Sequence, residues 1–374
     1  MPTSRTPAGP TPPTPGPILG AHVSSAGHID LAVGHATKMK AEAVQVFGAA
    51  PQQWRRKTHP QTDIDAFREG MTQAGIGPNF MHGIYLVNLA TADSEHLTKG
   101  IASLSADMQL AGGLGVAGVI FHVGSHKGAG FDAVLPQIAQ AIREVLAESP
   151  PNVWLCLENN AGGGDSIGSR FAELGAIREA VGNDRVRVCF DTCHAHAAGY
   201  DLTDAAALDE AMAEFDREVG SDALVAVHAN DSKTPLGSGR DRHENVGWGT
   251  IGVGGFRNLL AFDAFRSATW LLEVPGYEGG GPDALNLRVL KALREGKRLP
   301  RIPKKPEGGG EKTAKKATGT VGKTSAKKRG KTGTKVGTKT KAATKRKAAP
   351  KSNAATKTGA RKSSAKKRAA KTEA

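Results

Sequence analysis

From Ile18 onward the chain alternates between short, continuous apolar runs and longer stretches in which apolar residues return every three or four positions. The apolar runs predict strands over Ile18–Ser24, Ala43–Gly48, Asn79–Gly83, Gly118–Gly124, Val153–Asn159, Val186–His194, Ala223–Asp231 and Thr269–Pro275. The helical rhythm between them predicts helices over Ile29–Ala41, Asp63–Ala74, Asp93–Ala111, Phe131–Ala147, Ser169–Val181, Thr203–Val219, Gly254–Phe262 and Asp283–Arg294. Strands that are apolar throughout, rather than in alternation, suit a parallel sheet buried on both faces. Eight strand–helix units in about 280 residues match a (β/α)8 TIM barrel. A doubly wound open sheet is the other architecture the alternation allows. The first unit lacks the glycine pattern that cradles a pyrophosphate, so no dinucleotide site is expected.

The alternation is missing at both ends. Met1–Pro17 holds seven prolines among Thr, Ser and Gly and is expected to be disordered. Beyond Pro303 the only large apolar residues are Val321 and Val336, too few to offset chain entropy, so a disordered arm is expected. The chain therefore divides into a disordered segment 1–17, a barrel domain 18–300 and a basic arm 301–374. Charge follows the same division. The arm carries 25 Lys+Arg against 3 Asp+Glu, whereas the preceding 300 residues carry 25 against 33. The net charge of +14 thus describes neither part: an acidic body bears a basic arm. Cys156, Cys189 and Cys193 lie in or at the end of apolar runs without metal or disulfide spacing, and read as reduced core residues. No apolar segment has the length of a signal peptide or a membrane span, so a cytoplasmic protein is expected.

In a barrel of this kind, chemistry gathers at the C-terminal ends of the strands. The stretch Phe190-Asp191-Thr192-Cys193-His194 is the most suggestive of these ends, a strand running into a loop with an acid and an imidazole three apart. Comparable residues end the other strands: His82, His122, Glu158, His228 and Glu273. The loop after the seventh strand adds Asp241 and His243. Any one of these has an ordinary explanation as a hydrogen-bonded strand-end residue. Nine at the same end of one barrel point to metal, since mixed imidazole and carboxylate donors suit divalent ions and nine would hold two or three. His22 and His126 are candidates for groups behind the ligands, and His196 for packing or surface. His28, His35 and His59 carry no chemistry. No Lys, Ser or Cys nucleophile stands out.

The segments Gly20-Ala21-His22-Val23-Ser24, Phe190–Asp201, His228-Ala229-Asn230-Asp231-Ser232-Lys233 and Gly237–Gly252 resemble the endonuclease IV family of apurinic/apyrimidinic endonucleases, over roughly Ile18–Arg294. The resemblance implies a TIM barrel with three zinc ions. One would be held by His82, His122 and Glu158, a second by Glu158 (bridging), Asp191, His228 and Glu273, and the third by His194, Asp241 and His243. It implies hydrolysis of the DNA phosphodiester 5′ to an abasic site, leaving a 3′-hydroxyl, with removal of 3′-blocking groups as a companion activity. Glu158 would be the catalytic carboxylate, orienting the nucleophile. Two close metals can supply hydroxide at neutral pH, which agrees with that chemistry. By the same resemblance Tyr85 and Leu86 would wedge into the base stack while the abasic nucleotide is extruded. Gln52 stands where a relative inserts Arg, so it could wedge but carries no charge.

The expected partner is double-stranded DNA containing abasic sites, bound by a monomer at the nucleoid. The arm would add sequence-neutral affinity through counterion release, and without aromatics it offers no base recognition. Two rival functions remain. A sugar isomerase or epimerase would use fewer strand-end ligands and leaves His82, His122, Asp241 and His243 unexplained. A non-enzymatic chromatin-compacting protein would account for the arm but not for the ligands.

Overall fold

The computed structural model describes residues 16–306. The disorder expected of residues 1–15 and of the arm from 307 onward lies outside the described residues. Eight strands form a closed barrel: β1 Ile18–His22, β2 Ala43–Phe47, β3 Phe80–His82, β4 Gly118–Phe121, β5 Trp154–Glu158, β6 Val186–Asp191, β7 Leu224–His228 and β8 Thr269–Leu272. Every strand pairs in parallel with its neighbour in sequence, and Ile18–Ala21 pair in parallel with Thr269–Leu272 to close the ring. That last pairing rules out the open sheet. The helices are α1 Leu31–Met39, α2 Gln61–Ala74, α3 Ser94–Leu114, α4 Phe131–Ala147, α5 Phe171–Val181, α6 Thr192–Ala198, α7 Ala205–Glu218, α8 Gly252–Leu259, α9 Asp263–Ser267 and α10 Ala284–Arg294.

Side chains alternate along each strand between the barrel axis and the helices. One layer of the interior consists of Ala43, Phe80, Ile120, Cys156, Cys189, Ala226 and Leu271, all fully buried and each from a different strand. β1 contributes Gly20, where a Cβ would come within 2.1 Å of the Ala43 carbonyl oxygen, so no side chain fits. Outward-facing residues pack the helices. Phe190 lies 5.9 Å from Phe171 and 5.0 Å from Phe265, ring centre to ring centre, seating the end of β6 against α5 and α9. Helix α4 shows the pattern on the helical side, burying Val134, Ile138, Ala141, Ile142 and Val145 along one stripe.

Three elements depart from the sequence reading, one being α9, Asp263–Ser267, where no helix was expected. The strand expected to reach His194 stops at Asp191, because Asp191 turns the chain into α6: its Oδ1 accepts the His194 amide at 2.8 Å as an N-cap. The segment read as a loop is therefore a short helix. The long connection after β7 contains an antiparallel hairpin in which Asp231 and Ser232 pair with Glu244 and His243.

Candidate metal centre at the barrel mouth

Two residues beyond each member of the interior layer comes the next inward position. Counting up from Gly20, Ala43, Phe80, Ile120, Cys156, Cys189, Ala226 and Leu271 reaches His22, Gln45, His82, His122, Glu158, Asp191, His228 and Glu273. Strand periodicity alone thus carries the apolar core into a ring of polar side chains at the mouth. His82, Glu158, Asp191 and His228 are almost wholly buried, so their polar atoms must satisfy one another.

Glu158 lies at the centre. Its Oε2 is 3.0 Å from His82 Nε2 and 3.7 Å from His122 Nε2, and its Oε1 is 3.0 Å from His228 Nδ1 and 3.3 Å from His194 Nδ1. His228 Nδ1 also approaches Glu273 Oε2 at 3.4 Å and Asp191 Oδ2 at 3.7 Å. Asp241 reaches His194 Nε2 at 3.3 Å and His243 Nε2 at 3.2 Å, and His243 Nε2 lies 3.5 Å from Asp191 Oδ2. The donors fall into three close groups: His82, His122 and Glu158; Glu158, Asp191, His228 and Glu273; His194, Asp241 and His243. The first two share Glu158.

The hydrogen bonds behind the ring fit metal ligation. His82 Nδ1 donates to the Gly83 carbonyl at 2.6 Å, and His228 Nε2 donates to Gln45 Oε1 at 2.8 Å. Each imidazole then turns its other nitrogen toward Glu158, donating to it at 3.0 Å from the position that would bind a metal once deprotonated. Four carboxylates face five imidazoles and favour positive charge on all but His122, where burial wins and lowers the pKa. Burial lowers the pKa of His228 and His194, but Cys189, Glu273 and Glu158 around His228, and Asp191, Asp241 and Glu158 around His194, more than offset it and raise both well above the ordinary histidine value. In His243 burial is likewise outweighed, by Asp191 and Asp241, and its pKa is raised to about 9. Burial pushes Glu158 up, yet His122 and His228 hold it well below the usual carboxylate range. A site that draws protons onto imidazoles in this way would also attract divalent cations.

Several supporting residues were not singled out in the sequence. Gln45 donates from Nε2 to Glu273 Oε1 at 2.6 Å while accepting from His228, so it orients two members of the ring. Its signal was a lone amide in the apolar run Ala-Val-Gln-Val-Phe. Asn159 braces Asp191 from both sides, donating to its carbonyl at 3.0 Å and accepting its amide at 2.6 Å. Asn230 donates to Asp191 Oδ2 at 2.7 Å and accepts the Glu273 amide at 2.8 Å. Buried Asp231 accepts the amides of Gly247, Gly249, Ile251 and Gly252, folding the chain that returns from His243.

The other histidines are not among the nine donors. His22 belongs to the edge of the ring, with Nδ1 3.3 Å from Glu273 Oε1 and 2.9 Å from Gln45 Nε2. His126 accepts the Gly130 amide in its own loop, and His196 contacts Thr250 Oγ1 at 3.1 Å. His28 and His35 are exposed, and His59 contacts the Gly48 carbonyl oxygen. Cys193 lies near Asp191 and His243, but burial pushes its thiol up to about 12, leaving it a poor ligand beside them. Tyr85 is 50% exposed beside the ring, 5.6 Å from His82 between ring centres, and lines with Leu86, His122, Asp241 and His243 a cavity of about 520 Å³. The Tyr85 amide donates to the Pro51 carbonyl at 2.8 Å, joining its loop to the one carrying exposed Gln52. No described helix is long and apolar enough to cross a membrane.

The described architecture agrees with comparison to known proteins. Residues 33–296 match the family model described as "Xylose isomerase-like TIM barrel". "Probable endonuclease 4" of Geobacter sp. (strain M21) is 38% identical over 281 residues, 75% of this chain and 99% of the relative. The same-named protein of Methanoculleus marisnigri is 39% identical over 260 residues, 69% of this chain and 92% of the relative. The crystal structure of endonuclease IV from Thermus thermophilus superposes with a TM-score of 0.67 at 35% identity, over 75% of this chain and 100% of that one. A D-tagatose 3-epimerase-like protein shares the fold, with a TM-score of 0.57 at 16% identity over 74% of this chain and 97% of that one.

Proposed function

Because this chain belongs to the xylose isomerase-like TIM barrel family, and within it to the endonuclease 4 family, we propose that it is a DNA-repair endonuclease that hydrolyses the phosphodiester 5′ to abasic sites and leaves a 3′-hydroxyl. The observation that carries this reading is the sharing of Glu158 between two donor groups, with a third group alongside. Nine mixed imidazole and carboxylate donors in three groups suit three zinc ions. His82, His122 and Glu158 would hold one, Glu158, Asp191, His228 and Glu273 another, and His194, Asp241 and His243 the third. Zinc bound there would supply hydroxide near neutral pH and offset phosphate charge.

The chain's own residues do the rest. Glu158 is the carboxylate best placed to span two groups and to orient a nucleophile between them. Gln45, Asn159 and Asn230 hold the ring's side chains so that little reorganisation is needed as charge develops. Tyr85 and Leu86, at the rim of the cavity, are suited to fill the stack beside an extruded abasic nucleotide, with Gln52 on the adjoining loop. The basic arm would add affinity for any duplex. Removal of 3′-blocking groups needs the same attack at a phosphorus and belongs to the same proposal, as do action as a monomer and residence at the cytoplasmic nucleoid.

The test uses a duplex with one abasic site. Purified full-length protein should nick it on the 5′ side of the lesion, lose activity to a chelator and regain it with Zn²⁺. Its metal content should be about three zinc per chain, from the usual ligand number per ion. Zinc-replete protein that leaves abasic duplex intact, or that instead epimerises a ketose, would overturn the reading.

A further inference from the structure

Of the donors in the mouth, Asp241 and His243 alone lie far along a connection from any barrel strand. The seven others end barrel strands, directly follow one (His122 and Glu273) or, for His194, open α6. Asp241 is 52% exposed, so packing around its own side chain does little to hold it. What fixes the loop is its return, where Glu244 pairs with Asp231 and the Asp231 carboxylate gathers the amides that follow.

A second support comes from beyond the barrel. After α10 the chain crosses back and lies along this return. Trp248 Nε1 donates to the Pro303 carbonyl at 2.7 Å, and Lys305 Nζ donates to the Trp248 carbonyl at 3.2 Å. Lys305 Nζ also pairs at 2.9 Å with Oε2 of Glu244, a buried carboxylate adjacent in sequence to His243. Glu244 Oε1 is occupied by the Asn245 amide at 2.9 Å. Ile302 joins the edge of the hydrophobic core, and Trp248 meets Tyr277 edge-on, 4.9 Å between ring centres, while the Tyr277 hydroxyl donates to the Val246 carbonyl. The domain boundary drawn at residue 300 cuts through this contact. These strap residues also lie past the segment 33–296 that the family model matches.

We propose that residues 302–305 are a positioning strap that holds the Asp241/His243 hairpin in the barrel mouth, and so sets how firmly the His194, Asp241 and His243 group retains its ion. The metal half of this statement rests on the three-zinc reading above; the hairpin half does not. A buried carboxylate deprived of its cation is costly, and groups that brace a ligand commonly matter about 10- to 100-fold in metal affinity. Lys305 and Trp248 touch no ligand atom of the ring, so they act through Glu244 and the return of the loop.

Two measurements on four variants and the full chain test this. Full-length Lys305→Met and Trp248→Phe, a chain ending at Pro306 and a chain ending at Pro300 are compared with the full chain. Hydrogen exchange of the 231–252 backbone and zinc retained against a graded chelator are recorded for each. The chain ending at Pro306 should match full-length protein in both. The chain ending at Pro300 and Lys305→Met should exchange faster across 240–248 and lose one ion of three about 10-fold more readily, with excess Zn²⁺ restoring it. Unchanged exchange in Lys305→Met and Trp248→Phe overturns the strap, whatever the metal content. Faster exchange with all ions held as tightly as before shows a merely structural contact and overturns the positioning role. If full-length protein binds no third ion, the three-zinc reading fails, and the exchange data alone decide whether the strap holds the hairpin.

Discussion

At the scale of single residues, the mouth depends on side chains that each serve two neighbours. Glu158 is the clearest case, with Oε2 toward His82 and His122 and Oε1 toward His194 and His228. Glu158→Gln keeps its shape and removes a shared charge, so cleavage of abasic duplex should fall by orders of magnitude while binding persists. Near-normal single-turnover cleavage with metal retained would deny Glu158 its role. Gln45 works one step back, fixing the tautomer of His228 and the rotamer of Glu273. Gln45→Leu should leave every proposed ligand in place yet weaken zinc retention about 10- to 100-fold, as measured by dialysis against chelator. Equal retention would make Gln45 a packing residue. Tyr85, half-exposed, should matter for discrimination. Tyr85→Ala should weaken affinity for abasic duplex more than for intact duplex in equilibrium titrations, and an equal loss in both would assign the ring to packing.

Elements are joined by polar devices as much as by apolar faces. Asp191 ends β6, caps α6 with one oxygen and presents the other to the ring, so its cap and its place in the ring are inseparable. At the opposite end of the barrel, Arg294 of α10 clasps Glu42 just before β2, Nη1 to Oε2 at 2.6 Å and Nη2 to Oε1 at 3.0 Å, while Oε2 accepts the Leu19 amide of β1. This clasp ties the last helix to the first two strands. Burial raises the Glu42 carboxyl, but Arg294, the Leu19 amide and Lys291 outweigh it and hold it below its ordinary 4.5. A folded-state pKa below the unfolded one means that the contribution is complete above that ordinary value and is lost as pH falls through the lowered one. Glu42→Gln should therefore cost about 1.5–3 kcal/mol at pH 7 and less as the solution is acidified, read from urea unfolding across that range. A pH-independent loss would show that shape, not charge, is what the clasp supplies.

For the whole molecule, the decisive feature is charge set apart from chemistry. The proposed ligands lie in an acidic body, and the 25 cations after residue 300 lie in a segment without histidine. A chain ending at Pro306 keeps the strap and discards most of the arm. It should retain zinc and cleave at saturating enzyme as the full chain does. Its affinity for any duplex should fall, and the plot of log affinity against log salt should become shallower by about 0.9 for each phosphate the arm no longer neutralises. An unchanged slope and affinity would show that the arm does not bind DNA. Loss of cleavage at saturation with zinc retained would place the arm in the chemistry.

The barrel was legible in the sequence because its determinants are local and repetitive. Eight apolar runs, each followed by a helical rhythm, leave few ways to bury both faces of the strands, and seven of the nine proposed ligands stood at predicted strand ends. Asp241 and His243 were found only through the motif after β7. Their hairpin has strands of two residues each, too short to show a period, and exists because the Asp231 carboxylate collects distant amides. Gln45 reads in sequence as one polar residue in a strand; that it faces inward follows from register with Ala43 below it, which sequence does not specify. Helix α6 was hidden because Asp191 looks alike as a ligand and as a cap. The strap was hidden for a further reason. Ile302 to Lys305 differ little in composition from the arm they begin, and only tertiary folding brings them against Trp248 and Glu244, where a buried carboxylate requires a cation.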